Sequence, residues 1–291
     1  MTRPGISIVL LSFNSTATIG RTIKSLQPLS DDIHVVDSFS KDDTVALCRS
    51  LGANVVERGF SNYADQRNWA IDNLPLRYEW QMHVDADEEF TPELANAVAQ
   101  LDLANAKVNG FIFGRKIVFF GKVLEHGAIG KTWHYRLFRT GHGRCEDRLY
   151  DQHFVGTGPA ETIDAFMLDH QDATLSEWTA RHNRWADMEA MEAMRDPDAT
   201  GESDPTKIVQ PNARGSVIER KRHVKAKYYR LPLFSRAFAY FFYSYFIKLG
   251  FLDGKRGLVF CVLQSFWFRF LVDAKIYEAR EMQIKPPVTA L

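Results

Sequence analysis

Short apolar runs alternate with amphipathic stretches of about ten residues through the first hundred positions, and few architectures tolerate that rhythm. Ile6-Ser7-Ile8-Val9-Leu10-Leu11 reads as a buried strand, and residues 17–26 then place Ile19, Ile23 and Leu26 on one helical face. Residues 33–36, 54–57 and 80–84 read as three further strands, with helices predicted over 44–51 and about 61–73 between them. Strands alternating with helices imply an α/β fold, a Rossmann-like and mostly parallel sheet with helices on both faces. Ligands of such sheets gather at the carboxyl ends of the strands. Asn14, Asp37 and the pair Asp85/Asp87 all fall at such ends.

The fourth strand runs straight into His83-Val84-Asp85-Ala86-Asp87-Glu88-Glu89. In an extended segment residues i and i+2 point to the same side. Two carboxylates so spaced suit Mg²⁺ or Mn²⁺, which takes one or two carboxylates and fills its shell with phosphate oxygens and water. A bare Asp-X-Asp triplet also arises on solvated loops; the apolar strand ahead of it, fourth in a βα series, favours the functional reading. Asp37 ends the second strand, where a carboxylate can accept the imide N–H of a uracil ring. Ser40 or Asp42 suits capping of the helix that follows, and Asn14 or Ser15 capping of the first one.

Ile6 to Asn14, the turn from Val35 to Thr44, Gln66-Arg67-Asn68-Trp69-Ala70 and Val84-Asp85-Ala86-Asp87-Glu88 together resemble the successive blocks of family 2 glycosyltransferases. Within that family the chain is most similar to the bacterial branch of lipopolysaccharide-core and capsule glucosyltransferases. The resemblance covers roughly residues 5–170. It implies a GT-A fold, an inverting mechanism, a nucleotide-sugar donor (usually UDP-linked) and Mg²⁺ or Mn²⁺ as cofactor. Ser12, Asn14, Asp37, Gln66, Arg67 and Asp85 would then bind the donor, and Asp87 with Asp85 the metal. The resemblance would also bring Arg67 within reach of phosphate.

Inversion by single displacement needs a base outside the metal cluster to take the acceptor's proton. Asp151 matches the family's carboxylate position, with Glu146 and Asp147 as rivals; His126 and Arg136 are candidates for lining the acceptor pocket. Two departures stand out. The branch usually has Asn-Glu where this chain has Asn14-Ser15, and His-Glu where it has Tyr150-Asp151.

The expected organisation is a catalytic domain over 1–195, with a nucleotide-sugar half (1–105) and an acceptor half (106–195). The acceptor half includes aromatic, β-rich segments with Gly turns over 108–166 and a polar helix over 176–194. A Pro-, Asp- and Gly-rich linker over 196–214 and a basic, aromatic helical region over 215–291 complete the chain.

Formal charges balance at 36 against 36, yet residues 214–280 hold 14 Lys or Arg against 4 acids, a net +10 offset by −10 elsewhere. Such asymmetry points one end at an anionic surface. The tail's apolar runs, broken by Lys248 and Arg269, read as shorter than the roughly 20 residues a spanning helix needs. Basic clusters beside aromatic helices therefore imply interfacial attachment to anionic lipid. That would put a lipid-linked acceptor within reach at the inner face of the plasma membrane. A packed helical pair with a solvated basic face is the alternative.

Nucleic-acid binding would leave the acidic cluster unexplained. A dehydrogenase would need Gly-X-Gly-X-X-Gly where Ser12-Phe13-Asn14-Ser15-Thr16 stands, and a nucleotidyltransferase a Gly-rich loop after Leu11. A non-catalytic nucleotide-binding partner of a glycan-assembly complex stays open. Three scattered cysteines give no disulfide framework, and the start of the chain reads as lacking a signal peptide; both fit the cytoplasm.

Overall fold

The structure is a computed structural model that describes residues 3–195, 209, 211–215 and 217–283. The expected linker over 196–214 falls mostly outside the described residues. Elements in chain order are β1 (Ile6–Ser12), α1 (Ile19–Leu26), β2 (Asp32–Asp37), α2 (Thr44–Ser50), β3 (Asn54–Glu57), α3 (Tyr63–Asn73), β4 (Trp80–Asp85), β5 (Glu88–Phe90) and α4 (Pro92–Ala99). There follow β6 (Gly110–Phe119), β7 (Lys122–Val123), β8 (Lys131–Arg139), β9 (Gly143–Cys145), β10 (Phe154–Gly156), β11 (Ala160–Gln171) and α5 (Leu175–Arg195). The helices α6 (Val217–Tyr229), α7 (Ser235–Phe242), α8 (Gly254–Phe260) and α9 (Phe268–Met282) complete the chain.

The chain forms two compact units, the first comprising residues 1–118, 132–145 and 153–171. Its sheet runs in the order β3-β2-β1-β4-β8-β6-β11-β5. β1 is parallel to β2 and β4, and β2 to β3, whereas β8 is antiparallel to β4 and β5 to β11. Central β1 is apolar on both faces because both are covered. Ile8 and Leu10 join Ile19, Ile23 and Leu26 of α1, Met82 and Val84 of β4, and Leu94 of α4. Val9 and Val36 point the other way, to Ala70 of α3 and Leu74. Complete burial of each such side chain contributes about 1.5–3 kcal/mol.

Side-chain caps fix two helix starts: Asn62 Oδ1 accepts from Asp65 N at 2.8 Å, and Thr91 Oγ1 from Leu94 N at 3.3 Å with Pro92 next. Gly110 and Gly114 are not turn glycines as expected. Both lie inside β6 beneath aromatic rings, where a Cβ would sit 2.1 Å from the Tyr135 hydroxyl and 2.2 Å from the Phe166 ring. Gly121, with φ +69°, is a turn residue.

The second unit comprises residues 119–131, 146–152 and 172–291. Here α5 packs on α9 through Ala186, Ala190, Phe268, Val272 and Ile276, joined by Tyr150 and Trp185. α7 continues through a π turn over Tyr243–Ile247 to a 3₁₀ turn at Gly250–Asp253, and α8 passes through a second π segment into α9. The resulting helix, Gly250–Met282, is long and apolar enough to cross a membrane, which revises the expectation of runs too short to span. Its α9 half, however, buries Asp273 in an ion pair with Arg236 at 2.5 Å.

Candidate active site

Parallel register brings the sequence-predicted residues of the first unit to one edge. Ser12 pairs with Asp37 across β1 and β2, and Leu11 with Asp85 across β1 and β4. Asp37 is buried, and its carboxylate accepts from Ser12 Oγ (2.7 Å), Ser40 N (2.7 Å) and Ser40 Oγ (2.6 Å). Expected to meet a nucleobase, it is here turned onto the loops after β1 and β2. Asn14, held at φ +47°, ties the same loops: its N–H donates to Ser40 Oγ and its Oδ1 accepts from Lys41 N, both at 2.8 Å. Asp42, not Ser40, serves the start of α2, accepting from Thr44 N at 3.1 Å and Thr44 Oγ1 at 2.5 Å. Neither Asn14 nor Ser15 caps α1 through its side chain; the Ser15 carbonyl accepts from Thr18 and Ile19 instead. Gln66 is buried, hydrogen-bonded to Arg58 and at 3.4 Å to Ser38 Oγ.

Asp85 is gripped from two sides. Arg67 of α3 holds Oδ1, and Arg136 of β8 holds Oδ2 at 2.9 Å. Arg136 also donates to Glu88 Oε1 at 2.7 Å, and Glu88 Oε2 accepts from the Asp85 N–H at 2.8 Å. Arg115 of β6 extends the chain of charges, 3.8 Å from Glu88 and 3.2 Å from Asp169 of β11. Burial alone would raise the Asp85 pKa, but the guanidiniums of Arg67 and Arg136 outweigh it and hold the carboxyl well below the usual range. Burial pushes Glu88 up to about 7 against the pull of Arg136, and the Asp85 charge adds to the rise. His83 is buried and keeps a neutral ring for the same reason: burial first, then Arg67 and Arg136, lower its pKa.

The extended geometry expected across the acidic triplet gives way to a turn at Ala86 and Asp87 between β4 and β5. Asp85 and Asp87 therefore have different environments. Asp85 spends both oxygens on arginines, while Asp87 is half-buried in the turn, its carbonyl accepting from His170 N at 3.0 Å. No group of three or more His, Cys, Asp or Glu converges on a point among the described residues. A cation completed by phosphate oxygens and water asks for only one or two carboxylates, and Asp87 fits that requirement. Arg136, expected at an acceptor pocket, lies buried beneath Asp85 and Glu88 instead. Sequence reasoning missed Glu88, Arg115 and Asp169 as site residues, since only long-range strand pairing brings them together.

In the second unit, Arg222 donates to both oxygens of buried Glu146 and, at 2.9 Å, to Asp151 Oδ2. Lys225 reaches the same Asp151 oxygen at 3.0 Å and Glu189 at 3.1 Å. Asp151 has φ +59°, a left-handed backbone held by these contacts, and its side chain is 36% exposed. Asp147 lies exposed. Asp253 engages His126, the sequence's acceptor-pocket candidate, its oxygens lying 3.1 Å from Nδ1 and 2.9 Å from the backbone nitrogen. The charge excess over 214–280 is also less open than its count implied. Arg222, Arg236, Arg269 and Lys275 turn inward to Glu146, Asp273, Glu189 and Asp187.

Residues 7–163, more than half of the chain, match the family model described as glycosyl transferase family 2. Uncharacterized glycosyltransferases of Rickettsia conorii and Rickettsia felis are 37% and 38% identical over 93 residues. Each of those matches takes in 32% of this chain and 32% of the relative's length. Among solved structures, mannosyl-3-phosphoglycerate synthase from Rubrobacter xylanophilus is similar at 16% identity over 73% of this chain and 80% of its own, with a TM-score of 0.45. S. aureus TarS 1–349 is similar at 13% identity over 96% and 92%, with a TM-score of 0.44. Glucosyl-3-phosphoglycerate synthase from Mycobacterium tuberculosis, in complex with Mn²⁺, UDP and phosphoglyceric acid, gives 16% over 69% and 80%, and 0.41. The mixed sheet with flanking helices is a GT-A fold, and by the family match the chain belongs to glycosyl transferase family 2.

Proposed function

We propose that the chain is an inverting, metal-dependent hexosyltransferase that takes a UDP-linked sugar. The acceptor we assign is a lipid-linked saccharide or a lipopolysaccharide- or exopolysaccharide-type glycan at the cytoplasmic face of the plasma membrane, to which the protein attaches peripherally. The observation that carries this reading is the doubly gripped Asp85 at the carboxyl end of β4, with Asp87 in the turn beside it. Asp85 orients Arg67, whose remaining N–H donors suit the diphosphate. Asp87 is the residue that would hold Mg²⁺ or Mn²⁺; when bound, such an ion neutralises charge developing on the departing diphosphate. Ser12, Asn14, Asp37 and Ser40 hold the two loops in one shape, and Gln66 ties α3 to them through Ser38. In this reading they form a rigid floor for the nucleotide, with Asp37 acting through the loop.

Among the three candidate bases, Glu146 is enclosed by Arg222 and Asp147 lies exposed on irregular backbone. Asp151 combines a fixed position with solvent access, so it is the carboxylate assigned to take the acceptor's proton as its oxygen attacks the anomeric carbon. Incubation with a panel of nucleotide sugars, Mn²⁺ and a membrane-lipid extract, followed by proton NMR of the anomeric signal, tests the proposal. UDP release with inverted configuration is expected; retention of configuration, or release from no donor, overturns it.

A further inference from the structure

The turn joining α7 to α8 presents an apolar tip that nothing in the second unit covers. Phe242, Phe246, Ile247, Leu249, Phe251 and Leu252 are each between 42% and 59% exposed. Soluble surfaces scatter such side chains singly and rarely gather them within eleven positions. The backbone beneath is held firmly. Gly127 N donates to the Lys248 carbonyl at 2.8 Å, Ala128 N to Ser244 Oγ at 3.1 Å, and Lys248 N to the Tyr243 carbonyl at 2.8 Å. Leu249 is held at φ +59°, a conformation that costs a non-glycine residue free energy and that a less constrained turn would relax.

Charge follows a pattern of its own. Between Arg230 and Val272 the only acid is Asp253, and its carboxylate is occupied by His126. Lys248 and Lys255 are exposed at the tip, and the Lys248 ammonium lies 5.6 Å from the Tyr243 ring.

We infer that this tip docks on an anionic phospholipid bilayer, entering the headgroup–acyl boundary with its apolar side chains while Lys248 and Lys255 meet lipid phosphates. This deepens the proposed membrane partner and moves the contact away from α6, whose Arg222 and Lys225 are committed to Glu146, Asp151 and Glu189. Lysine set among apolar residues fits a bilayer surface, because its stem lies in the apolar layer and its ammonium rises to the headgroups. A two-fold contact between copies would instead bury the Lys248 ammonium in an apolar interface where this segment offers only Asp253, already engaged by His126, as a counter-charge. A crossing of the bilayer by the long helix is disfavoured by Asp273, buried with Arg236 in its second half.

Co-sedimentation of the full chain with phosphatidylcholine vesicles, with and without phosphatidylglycerol, tests this. The wild type should bind the phosphatidylglycerol vesicles. Phe246→Asp/Leu252→Asp should lower binding at least about tenfold, since two apolar side chains leave the lipid. Lys248→Glu/Lys255→Glu should lose the preference for anionic lipid, whereas Lys227→Glu on α6 should change nothing. Absence of wild-type binding, or undiminished binding by Phe246→Asp/Leu252→Asp, overturns the inference. So does a dimer in sedimentation equilibrium that the same pair dissolves without any vesicle binding. Mn²⁺-dependent UDP binding, measured on each variant, reports folding and separates the two readings. Its loss throughout would sink the transferase proposal and leave the vesicle result standing.

Discussion

Arg136→Met offers a quantitative test of the charge network around Asp85. The substitution keeps most of the apolar volume but withdraws the guanidinium that donates to Asp85 at 2.9 Å and to Glu88 at 2.7 Å. Asp85 retains Arg67, so its loss is partial. Glu88 is 1% exposed and keeps the Asp85 N–H at 2.8 Å but, as a counter-charge, Arg115 at the longer 3.8 Å, so the cost concentrates there. Removing one partner of a buried pair costs about 3–5 kcal/mol. The sign with pH follows from Glu88, whose folded pKa is already pushed up to about 7 by burial. A carboxyl raised in the folded state contributes stability below its ordinary pKa and loses it as pH rises through the folded value. Without Arg136 that folded value climbs further, and each added unit is worth 1.36 kcal/mol. Asp85, held low, gives up its contribution only on acidification below the ordinary carboxylate range. Urea unfolding at about pH 8, one unit above the wild-type Glu88 value, should therefore show the larger loss, and at about pH 5 a loss smaller by ~1.4 kcal/mol. Adding Glu88→Gln to Arg136→Met should recover much of the difference at the higher pH. An equal loss at both pH values, or one under ~1 kcal/mol, would refute the burial and pairing assigned to Glu88.

Asp151→Asn should bind UDP normally and lose transfer by about 10²-fold or more; near-normal transfer would pass the role to Glu146 or Asp147. Gly257→Ala would set a Cβ 2.1 Å from the Gly250 carbonyl, so thermal unfolding should report a loss of about 1–3 kcal/mol, while an unchanged melting point would contradict the close approach.

Much of the first unit was legible because its signals are local. Buried strands such as Ile6–Ser12 and Trp80–Asp85 carry uninterrupted apolar runs, and the three parallel pairings follow from βα alternation. The position of Asp37 and Asp85 at one sheet edge was likewise readable. What they touch was not. Arg136 and Arg115 reach the acids from β8 and β6, strands whose register depends on antiparallel pairing across long loops. Charge counting failed in a similar way in the second unit. It registers Arg222 and Arg269 as surface cations, although each is neutralised by a distant carboxylate, Glu146 or Glu189. The exposed face of residues 242–252 also escaped, since its apolar residues, interrupted by Ser244 and Lys248, follow no single periodicity that says which side meets solvent.

In the proposed function Asp87 links a divalent cation to a nucleoside diphosphate. Calorimetric titration of UDP into the protein with Mn²⁺, with EDTA, and into Asp87→Ala with Mn²⁺ measures it most directly. Binding is expected in the first case and at least about tenfold weaker binding in the other two, a difference of ~1.4 kcal/mol or more. Equal affinity in all three would contradict it.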